Sequence, residues 1–267
     1  MKATRLNRPT AVVIFVMAAL LAAGAAFALT PNPNSAVVHQ RIFNDCAISV
    51  LSVVNAYPAL ITIDDDMDPL CLGFANRHNW SFSEDGFNPA NFPNNSNFHF
   101  AANVVMTGDG FGEGGLRISP WWSPDVDGVF MLNDQSGEIA IFGGRLPFYS
   151  FTANHGITYT KGTVVLMEMT YHANGLSMAS PATVEYEITL GGTPYTSGPI
   201  PFDEGNPAEG HGSWGMLEPA WVGGWVQAYA GASNGGVVHI EWREIVFENL
   251  DPTAVQPTTW GRLKNLY

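Results

Sequence analysis

Paired carboxylates are the first chemistry on offer. In the run ATVEYEITL (182–190), Glu185 and Glu187 share one parity, opposite to Ala182, Val184, Tyr186, Ile188 and Leu190. A strand sets them on one face with Cα atoms about 6.8 Å apart. A glycosidase acid and nucleophile can use that spacing, and any wetted sheet face also carries it. Glu241 and Glu244 differ in parity and make a weaker pair. Asp64, Asp66 and Asp68 imitate the first three ligands of a calcium loop, read here as an acidic turn. Position six is Pro69 and position twelve Ala75, so no EF-hand follows. Asp125 and Asp127 form a second oxygen-rich spot. Calcium is the metal such loops would take, and a solvated turn is the blander account of both. His211, near Asp203, Glu204 and Glu209, is a polar loop before it is a zinc site.

Aromatic rings offer a second chemistry. Trp121 and Trp122 lie between Pro120 and Pro124, in a stretch read as a turn, and Trp214 lies among glycines in a long loop. Exposed ring faces stack on the C–H faces of sugars, while Arg, Asn and Asp bond to hydroxyls. Arg117, Arg145 and Asn133 are the polar residues nearest in sequence. The other account is that these rings close the ends of the fold.

Other chemistries find no support. No G-x-S-x-G elbow occurs, and the Gly-rich GDGFGEGG (108–115) follows no βαβ pattern and carries acids where phosphate would bind. The formal charge of −13 disfavours nucleic acid and anionic lipid as partners. Cys46 and Cys71 are the two cysteines. In an oxidising compartment they pair, and otherwise they are two buried thiols.

That compartment is suggested by the first 28 residues. Lys2, Arg5 and Arg8 precede an apolar run from Ala11 to Ala26 and the A-x-A site Ala26-Phe27-Ala28, the order of a secretory signal peptide. Bacterial export to the periplasm or exterior fits best. Cleavage would leave 8 Lys+Arg against 24 Asp+Glu, a charge of −16, and no membrane span. Residues 29–40 read as a spacer, 41–250 as one domain, and 251–267 as a Pro/Thr linker with a short Trp260, Leu263, Leu266 stripe.

The elements that must position these groups are strands. Gly128 to Leu132 and Glu138 to Phe142 flank a turn ending at Gly137, and Gly143-Gly144 should re-aim the chain into a strand from Leu146 to Phe151. Phe98 to Thr107, Thr163 to Tyr171, Ala182 to Leu190 and Trp221 to Tyr229 are further strands, and Phe74, Trp80 and Phe82 should lie together. In the last strand Ile240 and Trp242 have one parity, Ile245 and Phe247 the other, so a bulge at Arg243-Glu244 is expected. No segment besides the leader has a long helical period. The expectation is all-β, two stacked antiparallel sheets.

From Phe74 to Asn249 the order and texture resemble the concanavalin A-like lectin/glucanase superfamily of jelly rolls. The resemblance rests on GGLRISP (114–120), GEIAIFGG (137–144), TYTKGTVVLMEMTYHANG (158–175), ATVEYEITL and HIEWREIVFENL (239–250). It implies carbohydrate or surface recognition. The Glu-x-Asp-x-(x)-Glu strand motif of that superfamily's glycosidases is missing, so the leading expectation is a non-catalytic glycan-binding or adhesion module. A polysaccharide hydrolase or lyase, and a structural envelope protein, are the alternatives.

Overall fold

The computed structural model describes residues 30–123, 126–210, 212–229 and 235–251, leaving aside the side chains of 119–123, 126, 127 and 209. Fourteen strands and one α-helix occur among them: β1 (Ser35–Asn44), β2 (Val50–Ala56), β3 (Leu60–Met67), β4 (Ala75–Ser83), β5 (Asn97–Thr107), β6 (Phe111–Ser123), β7 (Val126–Asn133), β8 (Ile139–Phe142), β9 (Tyr149–Ser150), α1 (Phe151–His155), β10 (Val165–His172), β11 (Thr183–Leu190), β12 (Thr193–Pro201), β13 (Trp221–Tyr229) and β14 (Gly236–Asn249). They form two seven-stranded sheets. The front sheet runs β1-β4-β13-β6-β7-β8-β9 and the back sheet β12-β11-β10-β5-β14-β3-β2. All the ladders are antiparallel, and chain-distant strands meet at β4–β13–β6 and at β5–β14–β3. This is the all-β architecture of two stacked antiparallel sheets that the sequence led us to expect. Strand β1 starts inside the stretch expected to be a spacer.

Aromatic rings fill the space between the sheets. Trp80 and Phe82 of β4 meet Phe100 of β5 and Trp242 of β14 edge to face, with centroids 4.8–6.0 Å apart. Trp242 donates Nε1–H to the Gly115 carbonyl at 2.9 Å, which joins the sheets through a buried polar bond. Phe74 does not join them; it precedes β4 and is exposed. The expected bulge exists. Register slips between Arg243 and Val246, Glu244 takes φ 51°, and Ile240, Trp242, Ile245 and Phe247 all reach the core.

Two local expectations are corrected. The stretch Asp64–Asp66 is strand, not turn, and Asp64 and Asp65 have side-chain partners across the fold. Asp64 meets His239 of β14, and Asp65 turns inward to His78 Nε2 at 2.9 Å and Asn76 Nδ2 at 2.9 Å. Asp68 instead caps the 3-10 turn Pro69–Cys71, accepting from Leu70 N. The three therefore do not form a calcium loop. Beyond Gly143 and Gly144, both at positive φ, the strand expected up to Phe151 is only β9, because Ser150 caps α1 by accepting from Ala153 N.

Cys46 and Cys71 are joined, with Cα atoms 5.4 Å apart. The bridge is not peripheral to the core. Both cysteines are buried, and the Cys46 carbonyl accepts from Asn76 Nδ2 at 3.1 Å, beside Asp65 and His78.

Candidate functional site

The front sheet has an unusual outer face. In β4 the inward set is Asn76, His78, Trp80 and Phe82, which leaves Arg77, Asn79 and Ser81 looking outward. In β13 the small or aliphatic residues Val222, Gly224, Val226 and Ala228 go inward, and Trp221, Gly223, Trp225, Gln227 and Tyr229 go outward. Register aligns these sets into rows. One row is His39–Asn79–Trp225–Gly115–Met131–Ala140, the next Val37–Ser81–Gly223–Arg117–Val129, and a third Arg77–Gln227–Glu113–Asn133.

Residues that face away from a core should be wet, and the centre of this face is not. Arg77, Asn79, Ser81, Arg117 and Trp225 are exposed by 7, 1, 0, 1 and 1 %. Around them His39, Trp221, Gln227, Tyr229 and Glu113 are half-buried, so the face has an enclosed centre and a partly open rim. Trp225 packs with Val129, Met131 and Ala140 as an apolar cluster separate from the main core.

Two adjacent glycines make this possible. A Cβ on Gly224 would lie 2.2 Å from Trp80 Nε1 and 2.6 Å from Trp242 Nε1, so the inner residue must be glycine for both indoles to pack. Gly223, on the outer side, stands between Ser81 and Arg117 in its row. With no side chain there, Arg117 reaches across to donate from Nη2 to Ser81 Oγ at 2.6 Å.

The polar groups are held in fixed directions. The Arg77 guanidinium lies 4.3 Å from the centre of the Trp225 ring, a cation–π stack, and its Nε donates to Asn79 Oδ1 at 3.3 Å. Gln227 Nε2 donates to the Tyr229 hydroxyl at 2.9 Å. Burial, then the neighbouring Glu113 carboxylate, push the Tyr229 hydroxyl well above its ordinary pKa, so it stays protonated. His39 stacks on Trp221 with centroids 5.9 Å apart and planes 7° from parallel. Trp225 Nε1 is buried and finds no acceptor among the described residues. The face thus combines a flat ring, two guanidinium groups, amides and one indole N–H that has no acceptor among the described residues. Glu113 is the carboxylate on this face among residues whose side chains are described, so an acid–nucleophile pair is not displayed there.

The expected site residues divide by place. Arg117 belongs to this face. Trp121 and Trp122 lie in β6 by their backbone, a strand end where a turn was expected, and their rings lie outside the described part. Asp125 lies outside the described residues, as does His211, and the Asp127 side chain is not described. Arg145 follows β8 at the same end of the sheet and pairs with Asp203 Oδ1 at 2.6 Å. Trp214, half-buried with φ 51°, stands in the loop that enters β13 at that end. Asn133 is at the opposite end of β7, where its Oδ1 accepts from Gln135 N and Ser136 N to close the hairpin turn. Glu185 and Glu187 do share a face, but on the back sheet, with Glu168 opposite Glu187. Among the described residues no three His, Cys, Asp or Glu converge as a metal site.

Sequence reasoning missed Arg77, Asn79, Ser81, Trp225, Gln227 and Tyr229. For Trp225, Gln227 and Tyr229 the signal was present in WVGGWVQAY (221–229), where one parity is small or aliphatic and the other mostly aromatic and polar.

No protein-family model and no curated protein matches the chain. Solved structures resemble its fold. A family 7 alginate lyase in complex with product is 9% identical, over 74% of this chain and 83% of that one, with a TM-score of 0.42. Arcelin-5, a lectin-like defense protein from Phaseolus vulgaris, is 9% identical over 80% of this chain and 99% of that one, with a TM-score of 0.38. A xylan β-1,4-xylosidase from Bacillus halodurans is 13% identical over 62% of this chain and 29% of that one, with a TM-score of 0.34. At this distance no site residue transfers.

Proposed function

We propose that this chain is a lectin-like, non-catalytic module that seats a glycan on the outer face of the front sheet. One observation carries the reading: Trp225, stacked under Arg77, keeps a buried indole N–H without an acceptor among the described residues, in an enclosed row between Asn79 and Gly115. A buried donor left unmade costs about 1–3 kcal/mol, and a ligand hydroxyl or carboxyl oxygen would recover it. Trp221, stacked by His39, supplies a half-open ring at the rim. Trp121, Trp122, Arg145 and Trp214, at the same end, are proposed as the further wall.

The setting is proposed to be outside the cytoplasm. The disulfide fits an oxidising compartment, and the leader read in the sequence would deliver the chain there. Among the described residues no helix is long and apolar enough to cross a membrane.

A glycan array with the full mature chain, run with and without chelator, tests the reading. Trp225→Phe keeps a buried ring and removes Nε1–H, so the hits should weaken several-fold at unchanged melting temperature. An array without hits, or hits indifferent to Trp225→Phe, would contradict it. Loss of signal with chelator would assign calcium a part.

A further inference from the structure

Resting on that reading, we infer that the glycan carries acetamido groups: a cavity beside the front face is built to take the N-acetyl group of a hexosamine residue. The cavity holds about 400 Å³, within the range of roughly 300–1,000 Å³ of small-ligand sites. It adjoins the proposed face. Phe142, 40 % exposed, extends the Gly223–Arg117–Val129 row to the sheet margin. Gly143 and Gly144, both at positive φ, then turn the chain from that row into the cavity wall. This wall is held from both sheets: the Tyr186 hydroxyl of β11 donates to the Pro147 carbonyl at 3.2 Å, and Leu146 packs where a Cβ on Gly128 of β7 would lie. The facing wall is the end of β12 and the residues after it, Ile200, Pro201 and Asp203.

Two sets of groups line this space. Leu146, Pro147, Phe148, Ile200 and Pro201 are apolar, and Phe148 is 70 % exposed. Arg145 and Asp203 are polar and joined: Arg145 Nη2 donates to Asp203 Oδ1 at 2.6 Å and to the Asp203 carbonyl at 2.7 Å. The pair is neutral as a whole, so the cavity has no net charge to offer an anion. It does offer bonds. Arg145 Nε is buried with no acceptor among the described residues. Asp203 Oδ1 also accepts from Gly205 N at 2.9 Å, whereas Oδ2 has no partner among them, and the side chain is 82 % exposed. One donor, one acceptor and an apolar wall side by side are the complement of a secondary amide bearing a methyl group. Its carbonyl accepts from the Arg145 guanidinium, its N–H donates to Asp203, and its methyl meets the prolines and Ile200. A carboxylate would meet Asp203 at close range, and an ammonium would leave the Arg145 donor unfilled. A hydrocarbon would dry the ion pair without bonding to it.

The full mature chain would be titrated with oligosaccharides of N-acetylglucosamine and of N-acetylgalactosamine, with their counterparts bearing hydroxyl or free amine at C2, and with N-acetylalanine methylamide. At least one acetylated oligosaccharide should bind about tenfold or more tighter than both of its counterparts. Because the charges of the cavity are paired, raising NaCl from 50 to 500 mM should change that affinity less than about twofold. Arg145→Met keeps the aliphatic stem and removes the donor, so the ratio of acetylated to hydroxyl binding should fall near one while the hydroxyl sugar binds as before. Trp225→Phe, on the face itself, should weaken both sugars alike. Should Arg145→Met fail to fold, Asp203→Ala, at an exposed position, should give the same loss of preference. Equal binding of acetylated and hydroxyl sugars would overturn the inference and leave the glycan-binding face standing, as would a preference that survives both variants. N-acetylalanine methylamide binding as tightly as the sugars would assign the cavity to peptide and overturn it too. Binding of no oligosaccharide, with an array without hits, would overturn both.

Discussion

The two outer faces of this sandwich use their polar residues oppositely. On the front sheet Arg77, Asn79, Ser81 and Arg117 are dry, mutually bonded and packed beside Trp225. On the back sheet Glu168, Glu185, Glu187 and His99 form a wetter, acidic patch: His99 Nε2 sits 3.3 Å from Glu168 Oε1, both about one-fifth exposed. A second such group has His239 between Asp64 and Glu241. Burying polar groups costs stability unless they are bonded. The front face meets much of that cost by bonds between its own side chains, whereas the back face leaves more of it to water. The difference teaches that outward direction and exposure are separate properties of a sheet residue.

The sharpest way to break the comparison is to truncate on each face. Trp225→Ala should cost about 3–5 kcal/mol in a denaturant melt, as for a core ring, while Glu185→Ala on the back face should stay within about 0.5 kcal/mol. Equal small effects would show that the front face is not packed.

Slightly smaller is the loss of the covalent tie where the front strand β1 leads into the back strand β2. The Cys46–Cys71 bridge spans 25 residues, so Cys46→Ala with Cys71→Ala should cost roughly 3–4 kcal/mol in the chain-entropy model. An unchanged melting temperature would contradict this.

Next come two pH responses of opposite sign. Burial pushes the Asp65 carboxyl up, and hydrogen bonds from His78, Ser49 and Asn76 outweigh it and hold the group below the usual carboxylate range. A depressed carboxyl contributes stability above its unfolded value of about 3.9, and that contribution is lost as pH falls through the folded value. Asp65→Asn should therefore lower stability at neutral pH by about 1–3 kcal/mol and remove part of the acid-side slope. His99, bonded to Glu168, and His239, partly desolvated but held by Glu241 and Asp64, are both raised. Their contribution is complete below the ordinary histidine value of about 6.5 and fades as pH rises through the folded values. His99→Gln with His239→Gln should flatten melting temperature between about pH 6 and 8, by no more than about 1 kcal/mol per pair.

The smallest effect is a gain. Burial, then Glu185 and Glu168, raise the Glu187 carboxyl. A raised carboxyl disfavours folding once pH passes its unfolded value, so Glu187→Gln should slightly increase the melting temperature at pH 7 and leave it unchanged near pH 3. A decrease at pH 7 would mean that Glu187 is held by an attractive partner.

Much of this was legible in the chain. Alternation in ATVEYEITL predicts β11 with the right face inward, and the parity change in β14 predicts its bulge, because a period of two is local. Asn133 and Gly137 announce the β7–β8 turn for the same reason. The aspartates of β3 were misread because polar runs look like turns when their partners cannot be seen. His239 and His78, which let those aspartates stay in a strand, come from β14 and β4, 175 and 13 residues away.

The candidate site lay beyond that reach. Charge composition and the strand periodicities need no distant partner, and the sequence determined them alone, whereas the pairing of Cys46 with Cys71 rested on compartment until their Cα atoms were placed 5.4 Å apart. That Arg77 lies on Trp225, and that Arg117 crosses Gly223 to reach Ser81, depends on β4, β13 and β6 becoming neighbours although 148 positions separate Arg77 from Trp225 and 106 separate Arg117 from Gly223. Which side of a strand faces outward is written in its alternation; which outward side becomes dry is decided by the register of strands brought together from across the chain.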